Sequence, residues 1–130
     1  MKEINRVWAK LKKGNTFRTP DNLRGTNFSI ALIQADRILI DPQKIFIHRK
    51  AFIAALDYLF SNKNNVINKC EIKSNNDSEK AGPLCRASRK ENHNIRCINY
   101  IIPILKANKL IDYSSDRPNK VWLNTTVQKP

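Results

Sequence analysis

Two charged residues in the middle of the chain have types and a spacing that could take part in metal-dependent phosphodiester hydrolysis. Glu71-Ile72-Lys73 carries a carboxylate that can hold Mg²⁺ and a lysine that can assist an attacking water. A second acidic ligand could come from Asp41 or Asp57, but the eleven acidic residues are scattered along the sequence. Because two-metal phosphoryl chemistry needs several convergent acidic ligands, a small Mg²⁺-dependent nuclease that uses Glu71 and Lys73 is the less favoured alternative.

The other residues with catalytic or metal-binding potential form no known motif. His48 and His93 are the only histidines, and His93-Asn94 lacks the second ligand histidine of a His-Asn-His nuclease. The three cysteines have no CxxC spacing, and Cys85 and Cys97 lie beside apolar positions, where a core role is expected. The chain also lacks the P-loop, GxGxxG, GxSxG and HExxH patterns. We therefore expect a protein that is not an enzyme and that holds no metal or cofactor.

The charge balance is the strongest functional signal in the sequence. The 130 residues include 24 Lys and Arg against 11 Asp and Glu, which gives a formal net charge of +13 and a pI near 10.0. Residues 1–65 contribute +7 and residues 66–130 contribute +6, so the excess is not confined to one tail. A folded chain that is basic throughout favours a nucleic acid as its partner.

Composition and hydropathy exclude several other classes of protein. A hydrophobic fraction of 41% with only three glycines is unlike a disordered basic tail or a collagen-like chain. No apolar run approaches the roughly 20 residues that span a membrane, and the N-terminus lacks the apolar stretch of a signal peptide. We expect a cytoplasmic protein with reduced cysteines and no membrane association.

Alternating apolar residues predict a small β-meander in a β-rich segment over residues 1–48. Strands are expected at three apolar runs separated by polar turns, namely residues 28–33, 38–40 and 44–47. Residues 16–18 are a candidate fourth strand. Arg18 and Arg24 could extend a nucleic-acid-binding surface, whereas the large aromatic residues of this segment are expected in the core.

The hydrophobic period changes from strand-like to helical after residue 48. Three helices are predicted in the second part of the chain, over residues 49–61, 84–91 and 95–108. Asn94 is the expected N-cap of the third helix, and Pro103 is expected to kink that helix. A short strand is expected at residues 70–73, and a hairpin is expected from strands at 110–113 and 121–123. These elements complete a unit over residues 49–125, and residues 126–130 form a tail.

This order of helix, strand, helix, helix and hairpin resembles the winged helix-turn-helix family of DNA-binding domains. The resemblance covers residues 49–125 and implies an α+β protein, in which the N-terminal β-meander packs on a C-terminal winged helix of three helices and a hairpin wing. It also implies that the third helix enters the major groove of double-stranded DNA, and that the wing touches the backbone or the minor groove. A homodimer is compatible with this family but is not required.

The third predicted helix supplies the candidate base-reading residues. With its apolar stripe facing inward, Arg96, Asn99, Pro103 and Lys106 share another face. Because Arg can bind the edge of guanine and Asn the edge of adenine, Arg96 and Asn99 are the expected base readers. Contacts to the DNA backbone are expected from basic residues of the last two helices and the wing, namely Arg86, Arg89, Lys90, Lys106, Arg117 and Lys120. An ordinary solvated helix face and an ordinary surface turn are the competing interpretations.

Taken together, these features predict a sequence-influenced binder of double-stranded DNA, as a transcriptional regulator would be. A winged-helix adaptor for protein interactions is the main alternative, and it would show little salt-dependent affinity for DNA. RNA is a subsidiary partner, because the sequence lacks a cluster of aromatic residues on which unpaired bases could stack.

Overall fold

The protein is an α+β structure with four helices and two antiparallel sheets within residues 1–125, the part of the chain that the computed structural model describes. The predicted tail at 126–130 lies outside this part. The helices are α1 (Lys2–Lys10), α2 (Arg49–Ser61), α3 (Pro83–Lys90) and α4 (Ile98–Ala107). The strands are β1 (Thr16–Arg18), β2 (Asn27–Ile33), β3 (Arg37–Asp41), β4 (Ile45–His48), β5 (Cys70–Glu71), β6 (Ile111–Ser114) and β7 (Lys120–Leu123). The predicted α+β class is confirmed.

Helix α1 departs from the prediction of a β-rich N-terminal segment. Ile4, Val7 and Leu11 recur at helical spacing and are buried, and Trp8 packs edge-to-face on Phe52 of α2 with ring centroids 5.1 Å apart. Basic residues stand between these apolar positions. Together with Trp8 the buried residues follow the i, i+3, i+4, i+7 spacing of an amphipathic helix, so the sequence carries the signal for α1.

The first sheet contains the four N-terminal strands in sequential order, β1-β2-β3-β4, and every neighbouring pair is antiparallel. The three predicted strands and the candidate fourth strand are all present. Phe28, Ile30, Ile38, Ile40 and Ile47 are buried, whereas their neighbours along the strands are more exposed. This alternation is the pattern of a sheet that buries one face.

The second sheet joins a short strand to the C-terminal hairpin in the order β5-β7-β6. The predicted short strand and hairpin are therefore present, and α2 and α3 agree with their predicted bounds within one residue. Helix α2 packs on α3. Buried residues from all four helices and from both sheets form one hydrophobic cluster, so the two segments on either side of residue 48 share a core.

Helix α4 begins at Ile98, three residues later than the sequence predicts. Asn94, the expected N-cap, has a φ of 58° and lies in the turn before the helix. An unbroken run from Tyr100 to Leu105 is buried, because α4 contacts β1 of the first sheet and β6 of the second. The expectation that Pro103 lies on an outward face is wrong, since Pro103 belongs to this buried run.

A buried asparagine connects the turn before α4 to the end of β4. Asn92 is 1% exposed, and its side-chain oxygen Oδ1 accepts a hydrogen bond from the backbone N–H of His48 at 2.8 Å. Its side-chain amide donates to the carbonyl oxygens of Phe46 at 3.2 Å and of Ile95 at 3.3 Å. These bonds hold the end of β4 against the turn between α3 and α4.

We expect Asn92→Ala to lower the free energy of unfolding by about 2–4 kcal/mol, because a buried side chain and its three hydrogen bonds to the backbone are lost. Urea denaturation followed by circular dichroism measures this change. Asn76→Ala is the matched control, since the Asn76 side chain is exposed, and its effect should stay below about 0.5 kcal/mol. Equal losses in the two variants would show that Asn92 does not join these segments.

Candidate functional site

Five segments that are far apart in the sequence form a groove of about 830 Å³. Its walls come from the β1–β2 loop, the β3–β4 turn, the end of β5, the start of α4 and the β6–β7 loop. Four basic residues and two acidic residues line it, namely Arg24, Lys73, Arg96, Arg117, Asp21 and Glu71. The groove therefore carries a net positive charge.

Both predicted base readers line this groove. Asn99 lies in the first turn of α4, and Arg96 lies two residues before the helix begins. They do not share a helix face in the predicted way, because the turn before α4 extends to Cys97. Both residues are partly exposed, so the groove wall brings an arginine and an asparagine together.

Charged and polar contacts fasten the β6–β7 loop to the β1–β2 loop. The Arg117 guanidinium donates to both carboxylate oxygens of Asp21, at 3.2 and 2.6 Å. The backbone N–H of Asn22 donates to the Ser115 carbonyl at 3.1 Å, and the Asn22 amide donates to the Asp116 carboxylate at 3.3 Å. The hydrogen bonds from Arg117 lower the pKa of Asp21, and those to Asp21 raise the pKa of Arg117. We refer to these contacts as the loop tie.

A glycine allows the segment after β5 to approach α3 closely. The backbone N–H of Gly82 donates to the Lys73 carbonyl at 2.9 Å. A Cβ atom at Gly82 would lie 2.9 Å from the Cβ of Lys73, so a larger residue here would displace Lys73. The close approach thus contributes to holding Lys73 on the groove wall.

Arg89 is a structural residue, and we exclude it from the contact surface. It is 6% exposed, and its guanidinium donates to the carbonyl oxygens of Asn75 and Asn76 at 2.8 Å each and of Asn94 at 3.2 Å. These bonds connect the loop before α3 to the turn before α4. A buried guanidinium that is engaged in this way cannot also reach a phosphate.

The remaining predicted backbone contacts are exposed but lie outside the groove wall; they are Arg86, Lys90, Lys106 and Lys120. Lys106 is engaged within the protein, because its Nζ lies 2.5 Å from the Asp112 carboxylate and 4.8 Å from the centre of the Tyr113 ring. Lys120 is the register partner of Glu71 in the second sheet, and it therefore adjoins the end of β5.

The groove also contains polar residues that sequence reasoning did not select. The oxygen atoms Gln43 Oε1, Ser74 Oγ and Asn99 Oδ1 are buried and have no hydrogen-bond partner within the described residues 1–125. Gln43 and Ser74 lie in connections between strands and helices and belong to no motif. Nothing in the sequence distinguishes them from other turn residues, so only the fold shows that they line the same groove as Asn99.

The chemistry of the cysteines does not point to a nucleophile. Burial raises the pKa of Cys70 to about 11 and of Cys97 to about 12, so neither thiol is activated. Cys85 and Cys97 are fully buried, which confirms their predicted core role. Among residues 1–125, no three or more His, Cys, Asp or Glu side chains are grouped so that they could hold a metal ion. In the same part of the chain, none of the helices is long and apolar enough to cross a membrane.

Comparison of the chain with protein-family models, with curated proteins and with solved structures finds no match. The groove, its charge and the order of the elements therefore carry the functional interpretation.

The loop tie predicts how Asp21 titrates. The pKa of Asp21 should lie below 3.8 and should return towards that value in Arg117→Ala, because the guanidinium favours the carboxylate form. Since the folded-state pKa is the lower one, the ion pair stabilises the fold above the unfolded-state pKa. This contribution is lost as the pH falls through the folded-state pKa.

Carboxyl-carbon NMR titration measures the pKa of Asp21 in the unsubstituted protein and in Arg117→Ala. Asp112 serves as an internal control, because the hydrogen bond from Lys106 lowers its pKa independently of Arg117. An Asp21 pKa that does not respond to Arg117→Ala would contradict the ion pair.

Proposed function

We propose that this protein binds double-stranded DNA at the groove, with basic side chains on the phosphates and the start of α4 on the bases. The observation that carries the proposal is the convergence of Arg24, Lys73, Arg96 and Arg117, from four separate segments, on one groove. Like charges gathered in this way repel one another, and a polyanion relieves the repulsion. The net charge of +13 supports the same class of partner.

The order of the elements supports a winged-helix interpretation of residues 49–125. The elements α2, β5, α3, α4, β6 and β7 follow one another as helix, strand, helix, helix and hairpin, which is the order expected of that family. The three strands share one sheet, in which β5 pairs with β7. In this interpretation the β6–β7 loop is the wing, and Arg117 is its basic residue on the groove.

The burial of α4 limits how such a fold would contact a duplex. The helix cannot lay its full length in a major groove while the first sheet covers it. Its N-terminal end is accessible, so we assign base contacts to Arg96 and Asn99, with Arg suited to guanine and Asn to adenine. Arg24, Lys73 and Arg117 would contact phosphates, and Lys120 would extend this surface beside the wing. Sequence-influenced binding of this kind would serve transcriptional regulation.

A Mg²⁺-dependent nuclease is the second candidate, because Asp21, Glu71 and Lys73 line the same groove. The Asp21 carboxylate is engaged by Arg117 at 2.6 Å. A metal site would therefore require Asp21 to exchange Arg117 for the ion. The two candidates differ in whether a bound DNA strand stays intact when Mg²⁺ is added.

Fluorescence anisotropy with a mixed-sequence DNA duplex and a matched RNA duplex tests the proposal, over salt concentrations from about 50 to about 300 mM. If six to eight phosphates are engaged, log affinity should fall with log salt at a slope of about −5 to −7. A denaturing gel after incubation with Mg²⁺ shows whether the probe is cut. No binding of DNA at the lowest salt concentration would refute the proposal and favour a protein partner.

Removing one groove cation should weaken binding to all sequences and flatten the salt dependence. We expect Arg24→Ala or Arg117→Ala to reduce the magnitude of the slope by about 1. Arg96→Ala should also relax sequence preference, at a cost of about 1–3 kcal/mol on the preferred base pair. Salt titrations of each variant with the same duplex measure these effects.

Lys2→Ala is the matched control, since Lys2 is exposed on α1 and does not line the groove. If Lys2→Ala flattened the slope as much as Arg117→Ala did, net charge rather than the groove would determine binding. If Arg96→Ala weakened all sequences equally, Arg96 would be a phosphate contact instead of a base contact.

A further inference from the structure

We propose that a second cleft, around His48 and His93, binds a phosphate group and takes up protons as the phosphate enters. None of the residues that line this cleft lines the groove, so the inference goes beyond the DNA contacts proposed above. Either a nucleic-acid backbone or free phosphate would supply such a group, and the experiments below separate the two sources.

The cleft lies where the end of β4 and the start of α2 meet the end of α3, beside the turn between β2 and β3. Its volume is about 520 Å³. Besides the two histidines, three basic and two acidic residues line it, namely Arg49, Lys50, Lys90, Asp36 and Glu91. Five of these seven residues are exposed and the other two are partly exposed, so the lining is open to solvent.

The two imidazole rings lie in edge-to-face contact, with their centroids 4.7 Å apart. Asn92 connects the segments that carry them, because it precedes His93 in the chain and its Oδ1 accepts from the backbone N–H of His48. His93 has a left-handed backbone with a φ of 52°, a conformation that histidine adopts more readily than most residues. The fold thus places two titratable rings in one cleft.

The surroundings of the His48 ring disfavour a positive charge on it. Partial burial is the largest cause that lowers the pKa of His48, and the neighbouring His93 ring adds to it. The charges of Arg37 and Lys50 act in the same direction, whereas Asp36 opposes them. An anion beside the rings favours their protonated form and relieves the repulsion between them. Phosphate and protons therefore bind together.

Lys50 and Lys90 supply the charge that attracts the phosphate. Both are exposed, and neither takes part in the three ion pairs in the described part of the chain. Arg49 is engaged within the protein, since its guanidinium donates to the Ala35 carbonyl at 3.2 Å and to Oδ1 of Asn5. With its acidic residues included, the lining carries one net positive charge when both imidazoles are neutral and three when both are protonated.

The turn before α4 connects the cleft to the groove. His93 lines the cleft, and Arg96, three residues later, lines the groove. Three residues of extended chain span at most about 11 Å, so one nucleic-acid strand is long enough to reach both sites. A backbone phosphate is therefore the expected occupant, and this choice of source rests on the proposed function.

NMR of the imidazole rings tests the cleft directly, since the chain contains only two histidines. We expect inorganic phosphate, added at a constant pH of about 6.5, to move both sets of ring signals towards their protonated positions, with half-saturation at about 1 mM. Chloride at equal ionic strength is the control and should leave the signals in place. Ring signals that ignore phosphate, or that respond equally to chloride, would overturn the proposal.

Two lysine variants connect this response to the cleft. Lys50→Ala and Lys90→Ala should each weaken phosphate binding about threefold, because each removes one charge from the lining. Lys13→Ala is the matched control, since Lys13 is exposed and does not line the cleft. Equal effects of all three substitutions would show that net charge, and not the cleft, holds the phosphate.

Duplex DNA separates the two sources, because its phosphodiesters keep their charge over the pH range in which imidazole titrates. If the backbone occupies the cleft, affinity for DNA should rise about tenfold from a pH of about 8 to a pH of about 6. The double variant His48→Gln/His93→Asn should lose this rise. Asn is chosen at position 93 because it tolerates the left-handed backbone, and circular dichroism melting confirms that the variant is folded.

The outcomes distinguish this inference from the proposed function. The same pH dependence with and without the histidines, together with rings that respond to phosphate, would assign free phosphate as the occupant. Absence of DNA binding would refute the proposed function alone, since the response of the rings to inorganic phosphate does not require DNA. Rings that ignore phosphate in a protein that still binds DNA would overturn the cleft and leave the groove unaffected.

Discussion

Burial of α4 against both sheets is the constraint on which the arrangement of the groove depends. Seven of the ten residues of this helix are buried, so the helix has no broad polar face and requires apolar cover on more than one side. The first sheet and the hairpin strand β6 provide that cover. At the N-terminal end of the helix, Asn99 and the preceding Arg96 stay partly exposed and line the groove together with loops from both halves of the chain.

Electrostatics at the groove combine attraction with competition. The positive residues attract an anion, yet Asp21 already occupies Arg117, and its lowered pKa keeps the carboxylate ionised in mildly acidic solution. A phosphate on Arg117 would have to displace Asp21 or share the guanidinium with it. Because the pair is exposed, solvent and salt weaken it, so exchange of one anion for the other involves little loss of free energy. The loop tie is therefore compatible with a site that opens to a ligand.

The sequence predicts the elements well where a regular pattern coincides with burial. The strands of the first sheet alternate, and α2 repeats its apolar residues at helical spacing, so both were accessible to periodicity arguments. Helix α1 carries the same helical spacing at Ile4, Val7, Trp8 and Leu11, so it was equally open to this argument although the segment as a whole is rich in strands. The start of α4 was not predicted correctly, and the turn before it is held by bonds from Asn92 to β4, long-range contacts that leave no local signal in the sequence.

The site was predictable only in part, for a related reason. Arg96 and Asn99 could be selected because Arg and Asn suit base edges, and the fold brings both to the groove. Arg89 is just as basic, but its side chain is buried and donates hydrogen bonds to three backbone carbonyls. The position of Gln43 and Ser74 on the groove wall is evident only from the folded structure. Residue type thus indicates a capability, and the tertiary fold decides whether it is used for ligand contact or for internal structure.

The loop tie also determines when, during folding, the binding groove is assembled. It joins Asp21 to Arg117 and Asn22 to Asp116 across 96 and 94 residues, so it closes one of the longest loops in the structure. Contacts between such distant residues form slowly, since the entropy of closing the loop is lost before the contact is gained. An incompletely folded or shortened chain would carry the basic charge without the assembled groove. Such a chain would bind polyanions through its charge alone. It could distinguish one polyanion from another only after the contacts between the two loops have formed.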